Sequence, residues 1–232
     1  MERNQALSTT PTPPHATLAV AALLTVSGGF LDAFTYIGHG HVFANAMTGN
    51  VVLLGVFGAA GNWSQALRHI PPIIAFLLGV FSAHLIGRAS PRLLLRHPGL
   101  ACLLLEILFL CGAAWLPPSF PDLWLVLGLS FVAALQNSSF TTVEAWSYNS
   151  VMTTGNLRRF ADGLFLTFQP GQRGEGLRQA RAFGIVCAHF LLGAITGAAC
   201  TPRLGNLALL IPAALLGLVL LRIHRALRVR PG

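Results

Sequence analysis

"NAMTGNVVLLG", residues 45–55, and "VMTTGNLRRFADG", residues 151–163, place Thr-Gly-Asn twice in one chain, each time beside apolar sequence. A polar triplet in such a setting is either a hairpin between helices or backbone kept polar at membrane depth. Irregular chain survives there only where protein or a watery cavity surrounds it. The 232-residue chain is 54% hydrophobic and only 9% charged, with a mean hydropathy of +0.66. No soluble domain of this size keeps such a balance, so the chain reads as an integral membrane protein.

Apolar runs long enough to cross a bilayer, about 20 residues each, lie near 16–37, 70–87, 99–116, 123–140, 179–199 and 206–222. The Thr-Gly-Asn segments, near 42–61 and 150–168, do not make ordinary spans. The first is uninterruptedly apolar only from Val51 to Ala60, and the second carries Arg158, Arg159 and Asp162. The expected fold is all-α, a polytopic transmembrane helix bundle of about six full spans plus two short, re-entrant segments. Residues 1–15 are Pro/Thr-rich and read as a disordered tail. Residues 16–222 form a single transmembrane domain whose first span lacks a basic leader and a cleavage site, and so stays uncleaved. Residues 223–232 are a basic tail that serves as a stop-transfer anchor or pairs with anionic lipid.

The two halves are alike. "QALRHIPPIIAFLLGVFSAHLIGRASPRLL" from Gln65 and "QARAFGIVCAHFLLGAITGAACTPRLG" from Gln179 share Gln-Ala, Phe-Leu-Leu-Gly and Ser/Thr-Pro-Arg-Leu in the same order. The chain therefore reads as a two-fold internal repeat, 16–116 and 123–222. Arginine placement sets the orientation. With six spans and a cytoplasmic N-terminus, Arg3, then Arg88, Arg92 and Arg96, then Arg173, Arg178 and Arg181, and last Arg222, Arg225, Arg228 and Arg230 are inside; only Arg68 and Arg203 are outside. Eight spans would move the "GRASPRLLLRH" loop outside together with Arg158 and Arg159. Three spans per half inverts the second copy, and both termini are cytoplasmic.

Paired broken segments in inverted halves point to a transport site near the midplane. In that geometry Gly49 and Gly155 permit the turn, Thr48 and Thr154 cap the half-helix that follows, Asn50 and Asn156 add amide donors and acceptors, and an anion or polar solute sits between the two half-helix N-termini. The other reading makes each triplet a helix-capping loop at an interface. Asn45 precedes the first triplet in the same polar segment. Asp32 is the only acid within the first span, and an intramembrane carboxyl is either functional or held near a helix end, for instance by Arg158. At the related place in the second half, Gln136 and Asn137 answer it with neutral groups. Glu106, inside the third span, is a second candidate.

Nothing in the sequence assembles a metal or cofactor site. Cys102, Cys111, Cys187 and Cys200 lie in apolar runs without CxxC spacing and read as packing residues. His39 and His41 form one His-x-His pair with no third ligand. Nucleophile elbows, phosphate loops and HExxH are absent, so no enzyme is indicated. The net charge of +8 comes from arginines set between apolar runs, which excludes a nucleic-acid surface.

"SGGFLDAFTYI", "HVFANAMTGNVVLLG", "ALQNSSF" and "VMTTGNLRRFADGL" resemble the signature stretches of the YoaK-type membrane proteins, a bacterial family catalogued as a domain of unknown function. The resemblance covers nearly the whole chain after the N-terminal tail. It implies a bacterial inner-membrane protein and brings no activity with it. The leading expectation is a small secondary transporter or channel-like carrier for a small solute or ion, with a homodimer as the expected assembly. The alternative is a non-transporting membrane scaffold or assembly partner whose small-residue stretches, such as "GAITGAA", pack helices together. An intramembrane metal-dependent enzyme using the histidines ranks third.

Overall fold

A computed structural model describes residues 13–89 and 97–229. Most of the expected N-terminal tail (1–12), Ser-Pro-Arg-Leu of the first half (90–93), Arg96 and the last three residues lie outside the described residues. The chain runs α1 (Leu18–Gly38), α2 (Met47–Ala59), α3 (Trp63–Ala66), α4 (Ile70–Ala89), α5 (Pro98–Ala113), α6 (Asp122–Ser139), α7 (Thr153–Leu166), α8 (Arg173–Leu204) and α9 (Leu210–Val229). A short antiparallel hairpin, β1 (Thr142–Val143) and β2 (Trp146–Ser147), fills the loop between α6 and α7. A 3-10 turn at Pro14–Ala16 leads into α1, and its Ala16 is buried. It packs against α9.

Each of the six apolar runs falls on a helix: α1, α4, α5, α6, α8 and α9. Among the described residues, three helical stretches are long and apolar enough to cross a membrane: Leu18–Gly38, Trp63–Ala89, and Arg173–Arg228, which takes in α8 and most of α9. At 1.5 Å per residue α1 extends about 31 Å, the thickness of a hydrocarbon core. The protein is a helical membrane protein. Its outward faces are apolar, with Leu77, Phe81, Leu108 and Leu191 all more than half exposed. In lipid such a surface carries no penalty, and burial of apolar area does not drive these helices together.

Close backbone approach does that work instead. α1 is the most enclosed span, with Leu24, Phe30, Leu31 and Phe34 wholly buried, and it lies along α8. A Cβ on Gly29 would run into the carbonyl oxygen of Phe190, and one on Gly193 into that of Val26. On the other side of the bundle α4 lies along α6, and a Cβ on Gly79 would meet the carbonyl of Phe131. Gly79 and Gly193 are the glycines of the two Phe-Leu-Leu-Gly runs. The shared motif thus marks the two tightest helix crossings.

Gly193→Val should cost about 1–3 kcal/mol, because overpacking at a close crossing forces the backbones apart. Gly217→Ala, with nothing within 4 Å of the added carbon, serves as the neutral control. Thermal unfolding in detergent should separate the two, and equal midpoints would show that the crossing is not tight.

Candidate functional site

The first turn of α2 has no cap of its own: its N-cap residue, Ala46, makes no side-chain bond. The loop that leads into it is held from another helix. Asp32 of α1, one turn and a half before that helix ends, accepts the N–H groups of Asn45 (2.7 Å) and Ala46 (3.2 Å) on Oδ1. A carboxyl group also suits the positive end of the helix dipole. Thr35, three residues further along α1, accepts the Ala44 N–H on its hydroxyl at 3.1 Å. Asn45 returns a bond from its side-chain nitrogen to the Gly28 carbonyl, 3.2 Å. From within α2, Asn50 closes the loop by accepting the Phe43 N–H (2.9 Å) and donating to the Phe43 carbonyl (2.8 Å). His69 reaches the same Asn50 oxygen with Nδ1 at 3.2 Å and stacks on Phe57.

The loop before α7 is built alike but with neutral groups. Asn156 donates to the Asn149 carbonyl (2.6 Å) and accepts its N–H (3.4 Å), across the same seven-residue separation as Asn50 and Phe43. Gln136 of α6 turns its amide nitrogen to Glu106 of α5, 2.9 Å from Oε2, and accepts the Ser150 hydroxyl at 3.2 Å. An amide oxygen aimed at a carboxylate would face acceptor with acceptor, so the neighbours settle its orientation. Glu106 is wholly buried.

Several expected roles change. Thr48 and Thr154 do not cap: α2 begins at Met47 and α7 at Thr153, so each threonine lies inside the first turn, and neither helix has a side-chain cap bond. Gly49 and Gly155 make no left-handed turn, since the positive-φ glycines among the described residues are Gly40, Gly61, Gly171 and Gly205. Gly49 instead leaves room for the Phe43 ring, while nothing stands within 4 Å of a Cβ on Gly155. Asn50 and Asn156 are buried, and their amides are spent on the preceding loops. Arg158 is not the partner of Asp32, which bonds backbone amides. Among the described residues the one side-chain contact between a basic and an acidic group joins His39 Nδ1 to Asp122, 2.7 Å. Gln136 belongs to the Glu106 cluster, and the side-chain oxygen of Asn137 is buried without a partner.

A cavity of about 850 Å³ lies where the two Thr-Gly-Asn turns face each other. Asp32, Asn45, Thr48 and Gly49 line it from the first half and Thr153 and Thr154 from the second, while Asn50, Gln136, Asn137, Gly155 and Asn156 are not in its wall. Phe43, Phe76, Phe190 and Ile195 make its apolar sides, and no arginine or histidine lines it. Thr153 and the three phenylalanines were not singled out from the sequence. The extra threonine of Met-Thr-Thr-Gly-Asn was a signal for the first; the rings carried none, because phenylalanine is unremarkable in a membrane span.

The chain matches the family model described as "Protein of unknown function (DUF1275)" over residues 20–222. It is similar to the UPF0700 transmembrane protein YoaK of Bacillus subtilis (strain 168), 25% identical over 199 residues, which cover 84% of this chain and 88% of that protein. No solved structure matches it.

Asp32→Ala should expose the start of α2 selectively. Each hydrogen bond to the carboxyl contributes about 0.5–3 kcal/mol, so the amides of Asn45 and Ala46 should exchange about two- to a hundredfold faster with deuterium. The Asn149 amide, held by Asn156, should keep its protection. Uniform acceleration across both loops would contradict a local capping role.

Proposed function

The chain belongs to the DUF1275 family of proteins of unknown function, and within it we propose a small membrane carrier whose binding site is the cavity between the two Thr-Gly-Asn turns. The single observation that carries this reading is that Asp32 and the first turns of α2 and α7 line one space. Those turns come from parts of the chain more than 100 residues apart. Cavities of roughly 300–1,000 Å³, apolar with a few placed polar groups, are the usual form of small-molecule sites. A carrier needs such a site near mid-membrane, flanked by helix ends that can shift between faces.

The carrier has six spans, α1, α4, α5, α6, α8 and α9, lies in the bacterial inner membrane and keeps both termini in the cytoplasm. Its halves, α1 to α5 and α6 to α9, are inverted copies, with α2 and α7 dipping in from opposite sides. The matched Asn50 and Asn156 closures support the repeat. So does the exchange of partners, in which the first long helix of each half packs on the helix after the Thr-Gly-Asn segment of the other, α1 on α8 and α6 on α4. The arginine distribution supports the orientation. The cycle this reading describes involves binding and exposure to alternate faces, with no bond made or broken.

Two cysteine experiments in a cysteine-free background test the reading. Ser64→Cys and Gly174→Cys, both at exposed positions, should react with a membrane-impermeant maleimide from opposite faces; labelling from one face would end the inverted arrangement. Ala198→Cys, in the cavity wall, should be reachable from the cytoplasmic face in one population and from the periplasmic face in another. A cysteine there that neither face can reach would remove the carrier reading and leave a scaffold.

A further inference from the structure

Glu106 is an acid that the proposed site leaves unused. It lies in the middle of α5, wholly buried, and among the described residues it makes no ion pair. The ionisable side chains of the helices packed on α5 stand elsewhere. His84 and Arg88 of α4 and Arg222, His224, Arg225 and Arg228 of α9 are all exposed, and Asp122 of α6 is bound to His39. In the loop after α6, Glu144 is exposed and Tyr148 packs with Phe183. On α5 itself the Cys102 thiol, one turn earlier, is buried too. An ionised carboxylate buried without a cation is costly, so this place favours a group that can take up a proton.

The Gln136 amide can serve both forms of the acid. One end of it lies 2.9 Å from Glu106 Oε2 and the other 3.2 Å from Ser150 Oγ. With its nitrogen toward the acid, the amide donates to the carboxylate and accepts the Ser150 hydroxyl. With its oxygen toward the acid, it accepts the O–H of the neutral carboxyl and donates to Ser150 Oγ at the same 3.2 Å. Amide oxygen and nitrogen exchange places by a half-turn, so the heavy atoms keep their positions. Ser150 then changes from donor to acceptor, and its own hydrogen is released.

We infer that Glu106 is a proton-binding site and that the Gln136 amide, by turning over, relays its protonation to Ser150, an inference that stands apart from the carrier reading. The proton comes from water and forms an O–H bond on the carboxyl; no other covalent bond changes. Ser150 is wholly buried in the loop before α7, and the residues after it, Val151, Met152 and Thr153, line the cavity. A proton taken up on α5 therefore acts on the wall that the start of α7 contributes.

Infrared spectroscopy and hydrogen exchange of the full chain in detergent test both parts. The acid-minus-alkaline infrared difference should contain a protonated-carboxyl C=O band that Asp32→Asn leaves in place and Glu106→Gln removes. Glu106→Gln, whose new amide donates as the neutral acid does, should hold the relay in its protonated setting. The Val151 amide, bonded to Asn149, should exchange equally fast in this variant and the unsubstituted protein in acid. In alkali it should exchange about twofold or more slower in the unsubstituted protein, the effect of one neutral hydrogen bond. Comparing two proteins at one pH cancels the intrinsic pH dependence of exchange. In a Ser150→Ala background the infrared band should remain and the difference in exchange should vanish. No such band, or a band that Glu106→Gln leaves intact, overturns the proton site; equal exchange in alkali overturns the relay. Should Glu106→Gln not fold, Glu106→Asp takes its place, and a band that it fails to shift overturns the inference as well.

Discussion

The N-cap residue of α2 makes no side-chain bond, and the carboxyl of Asp32 holds the amides of Asn45 and Ala46, just before that helix, from the neighbouring α1. A buried amide left unmet costs about 1–3 kcal/mol, so the segment keeps its place because protein supplies the acceptor. Thr35 and Asn50 complete the closure from the two flanking helices. The loop from His39 to Ala46 is consequently held by α1 below and α2 above. Because it is held, Met47, Thr48 and Gly49 come to rest at the cavity wall.

The second loop solves the same problem without an acid at the corresponding place. Gln136 holds Ser150, and the carboxyl of this half is that of Glu106, one helix back, occupied by the Gln136 amide. The two polar clusters therefore differ in what they leave over. Around Glu106 the carboxyl has found a donor, whereas around Asp32 one oxygen is satisfied and the other is buried without a partner. A cavity bounded by two similar turns thus has an acid on one side only.

Helix packing is arranged so that these turns can meet. With apolar area facing lipid, contact between spans depends on how closely the backbones approach, and Gly29, Gly193 and Gly79 allow the closest crossings. The α1–α8 crossing brings Phe190 and Ile195 beside Asp32, and the loop before α7 rests on the same region of α1, with the Ser150 carbonyl 2.8 Å from where a Cβ of Gly28 would lie. The small residues of "SGGFLDAF" serve this approach, and the acid four places further on uses it.

The sequence by itself determined the class of the protein and the placement of its long helices, because hydrophobic length against a bilayer is a property of consecutive residues: the runs that became α1, α4, α5, α6, α8 and α9 could be counted off directly. It also marked Asp32 and the Thr-Gly-Asn pair as exceptional, since polar groups stand out in apolar surroundings. Their roles were another matter. Local capping rules assigned the helix starts to Thr48 and Thr154, yet neither caps, Asp32 holds the loop before the first of these helices across 13 and 14 residues, and Asn50 and Asn156 reach back seven residues to close loops. Only the tertiary structure decided which oxygens were left unpaired and that Asp32, Asn45 and Thr153 share one cavity. A hydrogen bond between distant residues depends on where helices cross, and no spacing along the chain encodes that.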